Sequence, residues 1–199
     1  MFRGNRRTAL KVRNGTVQRK NRRARTPHYL NDDMPELVID RRRPGRGYRH
    51  VANKEDVRRF LHILPEWPVL RIGLNAVVLD AGHEDCMGWH RPGVVAICAW
   101  DTDFEWLDCN PWFYSEHAVL LKKLDVPIYH DEYRIQVHFT EETARAFLLI
   151  HVLVHELGHH HDRMTTRSQR QTARGEGYAE AYARRYEDEV LARYQRMFG

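Results

Sequence analysis

Cysteine is scarce in this chain. Of 199 residues three are Cys86, Cys98 and Cys109, an odd number with no framework spacing. That excludes a disulfide-stapled secreted scaffold and points to reduced thiols in a reducing compartment. Long apolar runs are missing too. The most apolar stretch, Ala146 to Val154, is too short to span a membrane and is interrupted by His151. Nothing near the front has the apolar core of a secretory signal, and the first fifty residues contain no serine, which argues against an organelle transit peptide. The protein is expected to be cytoplasmic. There is no internal repeat.

Acidic residues are also rare at the front. Between Met1 and His50 only Asp32, Asp33, Glu36 and Asp40 stand against fifteen Lys or Arg, so this part carries about +11 of a chain whose net charge is +5. The remaining residues are therefore mildly acidic. The stretch to Arg25 has few large apolar residues and no period, and reads as flexible unless a partner orders it. Arg41, Arg42, Arg43 and Arg46, set among Pro44, Gly45 and Gly47 with Tyr48 available to stack, form a cluster suited to nucleic acid or another polyanion. A solubilising tail, or one docked on the acidic body, is the plainer alternative. The expected division is a basic extension over residues 1–50 and one folded domain over residues 51–199.

The informative segment lies near the other end. His155-Glu156-Leu157-Gly158-His159 reads HExxH. On a helix, residues four apart share a face, so both imidazoles can point at one metal ion while Glu156 flanks the open coordination position. The segment from Glu141 to Leu157 contains no Pro or Gly, Thr140 is a fair N-cap, and Glu141 and Glu142 suit the positive end of the helix dipole. Because Thr143 stands three residues past Thr140, a complete capping box is not expected. His151, one turn before the motif, reads as a satisfied core histidine, and His160 and His161 as non-ligands by their azimuth. A charged loop from Arg163 to Arg174 leads to a second helical pattern from Gly175 onward. There Tyr178, Tyr182, Tyr186 and Val190 form a packing stripe, and Glu187, Asp188 and Glu189 face solvent.

HExxHxxD over His155 to Asp162, followed by ExxAExxA over Glu176 to Ala183, resembles the gluzincin metallopeptidases. It is similar in pattern to their lethal-factor-like branch and to the ImmA-like peptidases that cleave phage repressors. The resemblance covers about the last third of the chain. It implies that His155, His159 and Glu176 bind one zinc ion, that Glu156 polarises the attacking water, and that Glu180 accepts a hydrogen bond from a ligating imidazole. Asp162 would orient a ligand or the helix end, with a plain surface acid as the alternative. Two imidazoles and a carboxylate leave a fourth position for water, which agrees with that assignment. Small Ala179 and Ala183 would let the second helix approach the metal helix closely. No residue is identifiable as the donor to a developing oxyanion. The SprT-like DNA-linked proteases, which combine a zincin with nucleic-acid binding, use a His as third ligand, so Glu176 separates this chain from them.

Upstream, Asn53 caps a helix to Leu64 with Val57, Phe60, Leu61 and Leu64 on one face, ended by Pro65. Val69 to Leu79, Gly93 to Trp100 and Tyr133 to Phe139 read as strands. Residues 83–90 and 100–114 read as loops, with Trp106, Trp112 and Phe113 covering the sheet or, alternatively, shaping a pocket. His83, Cys86 and His90 match no common metal spacing. The expected architecture is α+β and zincin-like: a small twisted mixed sheet packed on the HExxH helix, then a C-terminal ligand-bearing helix. One edge strand would hold an extended peptide. The expected activity is that of a zinc metalloendopeptidase. The alternative is a nucleic-acid-associated or regulatory binding protein whose zinc is structural or vestigial.

Overall fold

The computed structural model describes residues 29–30, 34–84, 86–167 and 173–199. Of the first 28 residues it describes two short antiparallel strands, β1 (Val12–Arg13) and β2 (Thr16–Val17). The flexible stretch expected to Arg25 otherwise lies outside the described residues, as does the middle of the loop after Arg163.

Two further strands and two helices come before the first buried strand. β3 (Val38–Arg41) and β4 (Tyr48–Arg49) precede α1 (Lys54–Ile63), where the Asn53 side chain accepts from the Glu55 and Asp56 amides and Asp56 accepts from the Asn53 amide. Val57, Phe60, Leu61 and Leu64 are buried as their spacing requires. After Pro65 the chain turns through Glu66, left-handed at φ 56°, into the single turn α2 (Trp67–Leu70). The strand expected to begin at Val69 is therefore shorter. Pro68 suits a first helical turn, Gly73 takes φ 69°, Val69 and Ile72 are exposed, and only β5 (Ala76–Asp80) is extended.

β6 (Gly88–Arg91) and β7 (Val94–Cys98) complete a four-stranded mixed sheet in the order β3-β5-β7-β6. β3, β5 and β7 are parallel, and β6 is the antiparallel edge. The central strands are buried on both faces, which is why they read as unbroken apolar runs. Val77, Leu79, Val95 and Ile97 face the main core with the helices, and Ala76, Val78, Val94 and Ala96 face Tyr29, Met34 and Trp89. Tyr29 and β3 both lie within the first fifty residues, so the division expected at residue 50 is corrected: the folded unit includes Tyr29 and β3.

β8 (Trp100–Asp101) pairs with β4, and β9 (Glu105–Trp106) leads to α3 (Pro111–Lys123), a helix where a loop was expected to run on to Tyr114. Asn110 caps α3 by accepting from the Trp112 amide, and Pro111 occupies its first turn. β10 (Ile128–His130) and β11 (Ile135–His138) join β9 in a three-stranded antiparallel sheet. Trp106 stacks on Trp100 at 5.2 Å, and Phe113 meets Trp106 and Phe147, so these two rings cover the core; Trp112 is exposed.

The last third is helical. α4 (Glu141–Phe147) continues without a break through a π-helical turn, Leu148–Leu153, into α5 (Val154–Met164). Thr140 does form a capping box, a correction with a simple cause: the Thr143 hydroxyl accepts from the Thr140 amide at 2.8 Å, as a Glu in that position would. α6 (Gly175–Phe198) then packs along α5. The architecture is α+β, and no described helix is long and apolar enough to cross a membrane.

Candidate metal centre

α5 presents its His-rich face to the start of α6. Asp162, fully buried near the end of α5, accepts from the Arg174 and Gly175 amides at 2.8 and 3.2 Å. It therefore holds the helix end, not a candidate ligand, and so fixes where Glu176 begins. Gly158 sits where α6 crosses. A Cβ there would lie 3.0 Å from Ala179 Cα and 3.1 Å from Ala179 O, so the small pair sets the interhelical approach.

Three donor atoms then converge. His155 Nε2 lies 3.2 Å and His159 Nε2 3.3 Å from Glu176 Oε2. A tetrahedron with zinc at its centre and ligands at about 2.0–2.1 Å has edges of about 3.3 Å, and both histidine-to-Glu176 separations match that edge. The donor set fits the ion, with all three ligand atoms within 4.8 Å of one another. Glu176 stands at the rim with its side chain 81 % exposed, whereas His159 is 3 % exposed.

The supporting contacts differ for the two imidazoles. His155 Nδ1 lies 3.2 Å from Glu180 Oε2, which fixes the tautomer that leaves Nε2 toward Glu176. Burial lowers the affinity of His155 for a proton, but the Glu180 hydrogen bond and the charges of Glu156 and Glu180 outweigh it, and the net shift is upward. Burial alone would raise Glu180; hydrogen bonds from His151 and His155 instead hold its carboxyl far below the usual range. His159 Nδ1 is buried without a hydrogen-bond partner among the described residues. Its ring is steadied by His90, stacked at 4.1 Å, and burial with His90 alongside lowers its pKa.

His90, which the sequence placed in a loop with no assigned role, adjoins this site. It lies on β6, and its Nδ1 is 3.6 Å from Glu156 Oε2. Only strand pairing brings it there, so spacing along the chain gave no signal; of the loop trio, His83 and Cys86 instead bridge to each other. Gly88 makes the approach possible, since a Cβ there would meet Glu156 Oε1 and Val152 Cγ1 at 2.7 Å. Glu156 is buried beside this strand.

A cleft of about 810 Å³ opens in front of these groups, walled by Met87, Trp112, Phe113 and Val152. His151 is the satisfied core histidine expected, with Nδ1 3.1 Å from Glu187 Oε1 and Nε2 3.5 Å from Glu180 Oε2. Glu187 is thus buried, a correction to its expected solvent position, because it partners a histidine at the π turn. Burial, reinforced by His151, pushes His117 down to about 4, and burial does the same to His160, whose Nε2 donates to the Ile72 carbonyl. His161 pairs with Tyr178, and neither approaches the three donors. Arg42 pairs with Asp80 and donates to the Tyr29 hydroxyl, while Arg41, Arg43 and Arg46 are exposed. Comparison with protein-family models, curated proteins and solved structures gave no match.

Proposed function

We propose that the protein is a zinc-dependent peptidase with a zincin-like arrangement, in which His155, His159 and Glu176 hold the ion and Glu156 is the general base. The observation that carries this reading is the convergence of two imidazole nitrogens on one carboxylate oxygen at 3.2 and 3.3 Å. A zinc ion held there would acidify a water and polarise a peptide carbonyl. Glu156, one residue along α5 and backed by β6, takes the proton from that water and returns it to the departing amine. Glu180 keeps His155 in the tautomer that leaves Nε2 available. His90 lies beside Glu156, with Nδ1 3.6 Å from Oε2, and would fill the role left open by the sequence by donating to the oxygen that gains charge at the attacked carbonyl.

β6 supports a peptide substrate. It is the edge of the sheet among the described residues and lies against α5, so its outer side suits an extended chain adding as a further strand. The apolar cleft walls would then receive side chains of that peptide.

The test is digestion of a proteome-derived peptide library by the zinc-loaded protein, read by mass spectrometry, with Glu156→Gln as control. Cleavages should appear with the parent and vanish with the variant, although both retain zinc. Equal results for the two proteins would refute the peptidase. The salt dependence of DNA or RNA binding through Arg41, Arg43 and Arg46 would then become the measurement of interest.

A further inference from the structure

Two further donor groups of the same composition lie nearby: His90, Glu156 and His159 share a residue with the first set, and the other group is independent of it. His117 on α3, His151 in the π turn and Glu180 on α6 bring two imidazoles and a carboxylate together, with donor atoms all within 4.8 Å of one another. His151 Nε2 and Glu180 Oε2 are 3.5 Å apart, close to the tetrahedral edge of about 3.3 Å. Behind His151, the buried Glu187 lies 3.1 Å from Nδ1, as Glu180 lies behind His155. That is the carboxylate–histidine pair that orients a metal-ligating imidazole.

A plain ionic network, His151 between Glu180 and Glu187, accounts for three of these residues but not for His117. The His117 ring touches Phe113, Phe147 and His151, and no hydrogen bond engages its nitrogens among the described residues. It borders the same cleft as the first set, so an ion has a route in.

We propose that His117, His151 and Glu180 form a second site for zinc or a similar transition-metal ion, with Glu187 as the positioning residue for His151. Imidazole and carboxylate donors favour such ions over calcium or magnesium. Its existence does not require peptide hydrolysis. Its coupling to the first site rests on the proposal above, because Glu180 Oε2 would serve both His155 Nδ1 and the second ion. Filling it withdraws the acceptor that steadies His155, so the second ion should bind more weakly than the first and reduce activity when zinc is in excess.

The experiment is equilibrium dialysis of the full chain against zinc, with bound metal counted by mass spectrometry, for the parent, His117→Phe and Glu176→Ala. Phenylalanine keeps the ring contacts and removes the donor, and far-ultraviolet circular dichroism checks that each variant folds. Two equivalents are expected for the parent and one for each variant, with Glu187→Gln weakening only the second equivalent, by about 10–100-fold. One equivalent in the parent, unchanged in His117→Phe and lost in Glu176→Ala, would overturn the second site and leave the first standing. A single equivalent in the parent that is retained in Glu176→Ala and lost in His117→Phe would overturn the first site instead. Two equivalents in His117→Phe would likewise refute this assignment.

Discussion

At the residue scale, the two histidines proposed to hold zinc are held by different means, and that difference can be measured. His155 is oriented by a hydrogen bond to Glu180, and His159 by the face of His90. Glu180→Ala should weaken zinc binding by about 10–100-fold in a chelator competition, the usual effect of removing a carboxylate behind a ligating imidazole. His90 allows a finer separation. His90→Phe keeps a ring against His159 and removes the nitrogen facing Glu156, so zinc affinity should stay within about twofold while kcat falls about 100-fold. His90→Ala should lower both. An unchanged kcat in His90→Phe would remove His90 from the reaction. The motif residues were legible because a helix converts a spacing of four directly into one face. His90 was not, because its distance from Glu156 is set by the pairing of β6 with β7 and by the missing side chain at Gly88.

Among elements, the contact that matters most is α5 against α6, since it brings Glu176 to the two histidines. Gly158→Ala tests it with opposing terms of known size. Alanine gains up to about 1 kcal/mol of helix propensity. Overpacking of a tight contact costs about 1–3 kcal/mol, and here the atoms met are Ala179 Cα and O, backbone that cannot yield without moving Glu176. Steric cost should win: urea unfolding of the metal-free protein should show a net loss of about 1 kcal/mol, and zinc affinity should fall as well. A stabilised variant with unchanged zinc binding would mean that the helices can separate freely. Capped amphipathic helices such as α1 were legible from Asn53 and the spacing of Val57, Phe60 and Leu61. α3 was hidden because its apolar residues do not gather on one face and aromatic residues suggested a loop. The π turn was hidden for another reason: Leu148 to Leu153 is buried throughout and apolar apart from His151, so no periodicity distinguishes an extra residue per turn from a regular helix.

For the molecule as a whole, charge suggested a boundary that packing does not respect. The front of the chain is strongly basic, yet Tyr29 is 2 % exposed and closes the face of the sheet formed by Ala76, Val78, Val94 and Ala96. Its hydroxyl donates to Asp40 and accepts from Arg42, which also pairs with Asp80, so one arginine of the basic cluster serves the fold. A count of charges cannot reveal this, because an arginine that pairs and one that meets solvent contribute equally to it. Tyr29→Ala removes a buried aromatic ring and should cost about 3 kcal/mol or more in urea unfolding. Tyr29→Phe keeps the ring and loses only the hydroxyl contacts, so about 1 kcal/mol is expected. The proposed metal centre lies on the other side of the sheet, with the helices, so zinc stoichiometry should be unchanged in both variants under conditions where they remain folded. If Tyr29→Ala were as stable as the parent, the chain before β3 would be an appendage after all, and the outer face of the sheet would be left to Met34 and Trp89 alone.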